Sequence, residues 1–119
     1  MLLAHAAAYH LYNNTYRALS PNQEGIISWT VGATYGEPVD PNDRGHVEAS
    51  DTLLQFSVGW FLHPIMSKTG DYPAVMREHI DRRSLVGESR LPSFSEDQVE
   101  FIKGTAVMAC HEHVYLCNV

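Results

Sequence analysis

Long apolar runs, basic clusters and cysteine pairs at metal-binding spacing are all missing from this 119-residue chain. No stretch nears the roughly 20 consecutive apolar residues that span a bilayer, so no membrane span is expected. Lysine and arginine number 8 against 14 acidic residues, a formal charge of −6. With no basic stripe to meet phosphates, nucleic acid is not an expected partner. The only cysteines, Cys110 and Cys117, sit near the C-terminus without a Cys-x-x-Cys motif and say little about redox compartment. There is no internal repeat and no low-complexity tract. What is present is ordinary globular material, 45% hydrophobic and 18% charged, enough for one small domain.

Residues 2 to about 17 read as a helix, with Leu3, Ala7 and Leu11 at i, i+4 and i+8 and several alanines. A positive leader region is lacking, and His5, Tyr9 and His10 interrupt the apolar start, so an amphipathic helix is favoured over a signal peptide. Ser20 to Gly25 is a breaker. Ile26-Ile27-Ser28-Trp29-Thr30-Val31 then has the β-branched, unalternating pattern of a strand buried on both faces. Residues 32–45 read as a long loop, of the kind that is usually functional or mobile. Asp43 is a suitable N-cap for a second helix carrying Val47, Leu54, Val58 and Phe61 and limited by Pro64. Pro73 suits the first position of a short helix ending near Arg83. Ser95 and Gln98 form a capping box, and Gly104 can close that helix. Thr105 to Cys110 reads as a second buried strand. The order is that of one βαβ unit behind a preceding helix, an α/β arrangement with a parallel sheet.

Six ordered strings carry a resemblance. They are Ala4-His5-Ala6 with Tyr9-His10-Leu11-Tyr12, Tyr35-Gly36-Glu37-Pro38, and Gln55 to Ile65. Then come Gly70-Asp71-Tyr72-Pro73, Arg90-Leu91-Pro92-Ser93-Phe94, and Phe101 to Ala106. In this order they resemble glycoside hydrolase family 1, particularly the animal and insect β-glucosidases. The resemblance implies a partial (β/α)8 TIM barrel, residues 1–119 covering the strand-five to strand-six region of a single glycosidase domain. Met1 would then be an internal residue, and the chain about a quarter of a typical member. The implied activity is retaining hydrolysis of O-glycosyl bonds in β-glycosides, in carbohydrate metabolism, without a cofactor. The competing reading is a non-catalytic member that keeps the barrel and acts by binding.

Retention needs an acid/base glutamate and a nucleophile about 5–5.5 Å apart. In the family these lie in Asn-Glu-Pro and Thr-Glu-Asn-Gly type motifs, and neither motif occurs here. No residue of this chain is therefore assigned a catalytic role, and the isolated chain is expected to be inactive and poorly stable. Glu37-Pro38 lacks the preceding Asn. Animal members are often secreted, but the sequence itself gives no compartment.

Tyr35, Glu37 and Asp40 fall in the loop after the first strand, which in a barrel lies on the catalytic face. Tyr35 is the candidate substrate-binding residue, since aromatic rings stack on sugars; packing within a long loop is its other reading. Trp29, Trp60 and Phe61 read as core, and His5 and His10 as structural. Cys110, His111, His113 and Cys117 lack the paired spacing of structural zinc, so no metal site is expected.

Residues 107–119 depart from the family pattern, which has Asp-Phe and then Asn-x-Tyr-Thr. Codons for Cys110 to Tyr115 can, in another frame, encode Ala-Thr-Asn-Thr-Tyr-Thr. A frameshift or mis-spliced exon near residue 107 is therefore expected. Sequencing the transcript across this point checks it, and an undisturbed frame with no alternative product refutes it.

Overall fold

The computed structural model describes residues 1–20, 22–85 and 87–106, and the backbone of 109–110 and 114–118. Helix α1 (Leu2–Leu11) continues through a π-helical turn, Tyr12–Tyr16, into α2 (Arg17–Leu19). Strands β1 (Trp29–Thr30) and β2 (Ala33–Glu37) follow. The long helix is α3 (Arg44–Leu54), a second π-helical turn at Gln55–Gly59, and α4 (Trp60–Met66). Helices α5 (Ala74–Asp81) and α6 (Glu96–Ile102) lead to β3 (Ala109–Cys110) and β4 (Val114–Asn118).

The strand–helix–strand order is the expected one, and both strand pairs are parallel. β1 lies beside β3, with Trp29 opposite Ala109, and β2 beside β4, from Ala33 opposite Val114 to Glu37 opposite Asn118. The two ladders are one residue out of step, so they do not form one uninterrupted pair. Two two-stranded sheets are present among the described residues and no closed barrel.

The core gathers around Trp29. Its ring is met edge-on by His5 of α1 at 4.7 Å and is stacked by Phe61 of α4 at 5.8 Å. Leu2, Ala6, Ile65 and Ile102 complete the buried cluster, with Leu62, Tyr72, Phe94 and Ala106 packed against it. Full burial of a side chain such as Ile65 or Ile102 is worth about 1.5–3 kcal/mol. The Trp29 indole Nε1 is buried without an acceptor among the described residues, which costs about 1–3 kcal/mol.

Several expectations are corrected by this packing. The buried stripe of α1 is Leu2 and Ala6, whereas Leu3 and Leu11 are exposed. Adjacent leucines leave the phase of an alanine-rich helix open, and contact with Trp29 sets it. The first strand is shorter than residues 26–31, and Ile26 is 55% exposed. Burial on both faces needs layers packed on both, and Ile26 lies outside the cluster around Trp29 that covers β1. Of the second expected strand, 105–110, Thr105 and Ala106 are not strand and Ala109–Cys110 are; Val107 and Met108 lie outside the described residues. The loop at 32–45 contains a strand, β2, which Gly32 and Gly36 disguised. Pro64 lies inside α4, which runs on to Met66. Pro73 is the N-cap of α5 with extended ψ, not its first helical residue.

Other local signals are realised as read. The Asp43 carboxylate accepts from Gly45 N at 2.7 Å and His46 N at 3.4 Å. Ser95 and Gln98 form both bonds of the capping box, and Gly104 takes φ 74 after the last turn. Gly104 N then donates to Ile65 O at 2.7 Å, joining the end of α6 to α4.

The chain is a flat slab of 55 × 36 × 19 Å with a radius of gyration of 17.2 Å. A compact domain of this length has a radius of about 13.5 Å. Its accessible surface is 8122 Å², against about 6,450 Å² for a closed monomer of this mass. Apolar side chains account for part of the excess: Leu54, Val58, Leu62 and Met66 line one side of a shallow groove along α3 and α4.

Gly70 has φ +68, and a Cβ there would sit 2.5 Å from Val99 Cγ1. Gly70→Ala is expected to cost about 2–3 kcal/mol, from left-handed strain plus overpacking. The readout is the fall in urea midpoint. Adding Val99→Ala should relieve the packing part and leave the backbone part.

Candidate functional site

Tyr35 lies at the centre of β2 and is 38% exposed. Successive side chains of a strand point to opposite faces, so Tyr35 and Glu37 share one face, and both are exposed. Their strand has β4 on one edge. The backbone of β2 is also held by the long helix: Thr34 N donates to Ser57 Oγ at 2.7 Å, and Ser50 Oγ donates to Gly36 O. Ser50 is only 2% exposed, one of the buried polar residues of the chain. Sequence reasoning passed over both serines. The available signal was two serines two turns apart on a helix that packs against the candidate loop.

The turn after β2 is built by Asp40. Its Oδ1 accepts from Asn42 N at 2.9 Å and Asn42 Nδ2 at 3.2 Å, while its own N–H donates to His46 Nδ1 at 3.2 Å. That acceptor role requires the Nδ1 of His46 to be unprotonated. Asp40 is thus a turn former that leads the chain into the Asp43 cap, whereas Tyr35 and Glu37 are the exposed groups of β2.

The other strings meet elsewhere, in a scaffold on the helices. A Cβ at Gly59 would lie 2.9 Å from Pro73 Cγ, so the turn at Gln55–Gly59 presses on the Gly70-to-Pro73 segment. Tyr72 packs on Phe94 at 4.8 Å between ring centres. Arg77 reaches both Asp71 oxygens at 3.3 and 3.4 Å, Pro92 O at 3.4 Å and Ser93 Oγ at 3.4 Å. These long contacts tie the segment before α6 to the start of α5. Burial pushes the Tyr72 phenol above its ordinary range, and the Asp71 charge adds to this, while Arg77 partly offsets it.

His5 and His10 have structural roles, as read. Taking Nε2 as protonated, His5 donates to Thr105 O at 2.8 Å and His10 to Phe101 O at 2.9 Å, so α1 is stitched to α6 and the approach to β3. Phe61 is core, while Trp60, also expected in the core, is 38% exposed beside it. The side chains of Cys110, His111, His113 and Cys117 lie outside the described residues.

Three comparisons bear on this arrangement. Residues 1–118 match the family model described as glycosyl hydrolase family 1. Lactase/phlorizin hydrolase of Rattus norvegicus is 51% identical over 108 residues, 88% of this chain but 5% of that protein. Lactase-like protein of Mus musculus is 41% identical over 89% of this chain and 18% of its own length. Among solved structures, an aphid myrosinase superposes with a TM-score of 0.77 at 32% identity, covering 97% of this chain and 25% of that one. β-Glucosidase 2 of the fungus Trichoderma reesei gives 0.80 at 27% identity, over 97% and 22%. The chain thus spans a quarter or less of these relatives.

The raised Tyr72 ionisation carries a pH prediction. A folded-state value above the unfolded one contributes stability that is full below the ordinary tyrosine range, about pH 10. That contribution is lost as pH rises through the folded value. Ultraviolet titration should show one tyrosine ionising later than an exposed one. Asp71→Asn should bring it down, and Arg77→Met should move it further up.

Proposed function

The chain belongs to glycosyl hydrolase family 1, and from that premise we propose that it is a portion of a (β/α)8 barrel from a retaining β-glycosidase. The observation that carries the reading is the family match over residues 1–118, in a chain whose β1 and β3 pair in parallel across intervening helices. Parallel pairing across a helical crossover is the repeating unit of such a barrel. The excess surface and open strand edges support a chain that packs against further barrel units. The β-glucosidases among its relatives support β-glucosides and related β-glycosides as the substrate class.

Retaining hydrolysis proceeds by protonation of the leaving oxygen and attack of a carboxylate on the anomeric carbon, followed by water. The two glutamate motifs that do this in the family are absent from the 119 residues. Within the parent, the contribution of this segment is a wall of the site. Tyr35 stacks on a sugar or aglycone ring from strand β2, in the connection between β1 and α3, the kind of βα connection that carries barrel active sites. The tail 107–119, read as the product of a frameshift or a mis-spliced exon, lacks the Asn-x-Tyr-Thr motif that a family member has there.

The pure 119-residue chain is expected to release no p-nitrophenol from p-nitrophenyl β-D-glucoside above the uncatalysed rate. The same segment joined to flanking coding sequence that supplies both glutamate motifs should hydrolyse it. In that barrel Tyr35→Ala should raise KM about tenfold, the loss of a contact of about 1.4 kcal/mol, with kcat changed less. Hydrolysis by the isolated chain, or a parent with both motifs that cleaves no β-glycoside, overturns the proposal.

A further inference from the structure

We propose that Ser50 and Ser57 are positioning residues for Tyr35, clamping its strand at the N–H of the residue before it and the carbonyl of the residue after it. This rests on the reading of Tyr35 as a ring that stacks on sugar. The clamp is drawn from three observations. Thr34 N donates to Ser57 Oγ at 2.7 Å, and Ser50 Oγ donates to Gly36 O, so the bonded groups lie one residue before and one residue after Tyr35. Ser50 is 2% exposed, so its hydroxyl sits where an unmet bond would be costly. The strand they hold is short and, among the described residues, has β4 as its one strand neighbour.

Strand geometry explains why two serines suffice. Backbone N–H and C=O groups of alternate residues point to the same edge, so Thr34 N–H and Gly36 C=O face one way. The intervening groups of Tyr35 face the other. The serine hydroxyls therefore stand in for a neighbouring strand at the edge that β4 does not occupy, one accepting and the other donating. Ser50 and Ser57 are seven residues apart, two turns along one helix face. Ser57 sits within the π-helical turn Gln55–Gly59, a local widening of a kind frequent at functional sites. Two bonds on one edge fix the rotation of the strand about its axis. That rotation decides whether the Tyr35 ring is presented outward or turned toward the helix.

The experiment uses the 119-residue chain with phenyl β-D-glucoside as the probe. Amide exchange at Thr34 reports the clamp, with Val99 of α6 as the internal reference. Saturation-transfer NMR from the protein to the glucoside reports the ring, and Tyr35→Ala defines the share of transfer that depends on it. Ser57→Ala should speed Thr34 exchange about tenfold with Val99 unchanged, the loss of roughly one hydrogen bond. It should also cut the Tyr35-dependent transfer several-fold. Ser57→Thr, which keeps the hydroxyl, should restore both. Where lost packing disturbs the alanine variant, Ser57→Cys keeps the volume and replaces the oxygen by a weak acceptor, and carries the same comparison. Unchanged Thr34 exchange in the alanine and cysteine variants overturns the clamp. Faster exchange with undiminished Tyr35-dependent transfer overturns the positioning role. Where the unsubstituted chain shows no Tyr35-dependent transfer, an unchanged KM of Tyr35→Ala in the barrel with both glutamate motifs overturns the reading of Tyr35 itself, and the exchange data judge the clamp.

Discussion

The ring stack on Trp29 is the contact on which the rest of the chain depends. A parallel strand pair cannot be closed by a tight hairpin, so its two strands must be brought together by elements packed on their faces. Here His5 from the first helix meets the indole edge-on, and Phe61 from the long helix stacks on the same ring. The His5 imidazole also bonds Thr105 O, at the approach to the second strand. One aromatic side chain thus couples the preceding helix, the first strand and the crossover. The helices α4 and α6 are then joined directly, through Gly104 N and Ile65 O.

Around that centre the family strings divide by role. Gly59, Gly70, Pro73, Tyr72, Phe94 and Arg77 form a structural knot in which glycines permit close approach and a left-handed turn. The segment with Tyr35 stands apart on β2, held by serine hydroxyls instead of a second strand. A single chain can therefore keep a rigid scaffold and still offer an exposed aromatic group. The scaffold contacts use buried shape, and the strand uses directional bonds along one edge.

The slab-like shape follows from the same economy. A βαβ unit buries the side of each helix that faces its own strands and leaves the remaining faces bare. The exposed Leu3, Leu11 and Ile26, and the groove along Leu54, Val58 and Leu62, are the bare faces here. In a closed barrel, neighbouring units would cover such surface; the proposal that this chain is one such portion gives those residues their purpose.

What the sequence determined by itself was local or shared with relatives. Asp43, the Ser95–Gln98 box and Gly104 were legible as helix ends, because capping depends on a few adjacent residues. The parallel order of strands was legible from the alternation of β-branched and helical segments, and family membership from six strings in register. The tertiary structure decided the rest. It set the phase of α1, because Leu2 and Leu3 are equally apolar until Trp29 chooses between their faces. It shortened the buried strand, since burial on two faces is a property of neighbours and not of Ile26. It also made a strand of residues 33–37, whose glycines read as loop, through pairing with residues 114–118 that lie some 80 positions away. Ser50 and Ser57 gained their role in the same manner. A hydroxyl is only a polar group in the sequence, and its meaning comes from the peptide that folding places beside it.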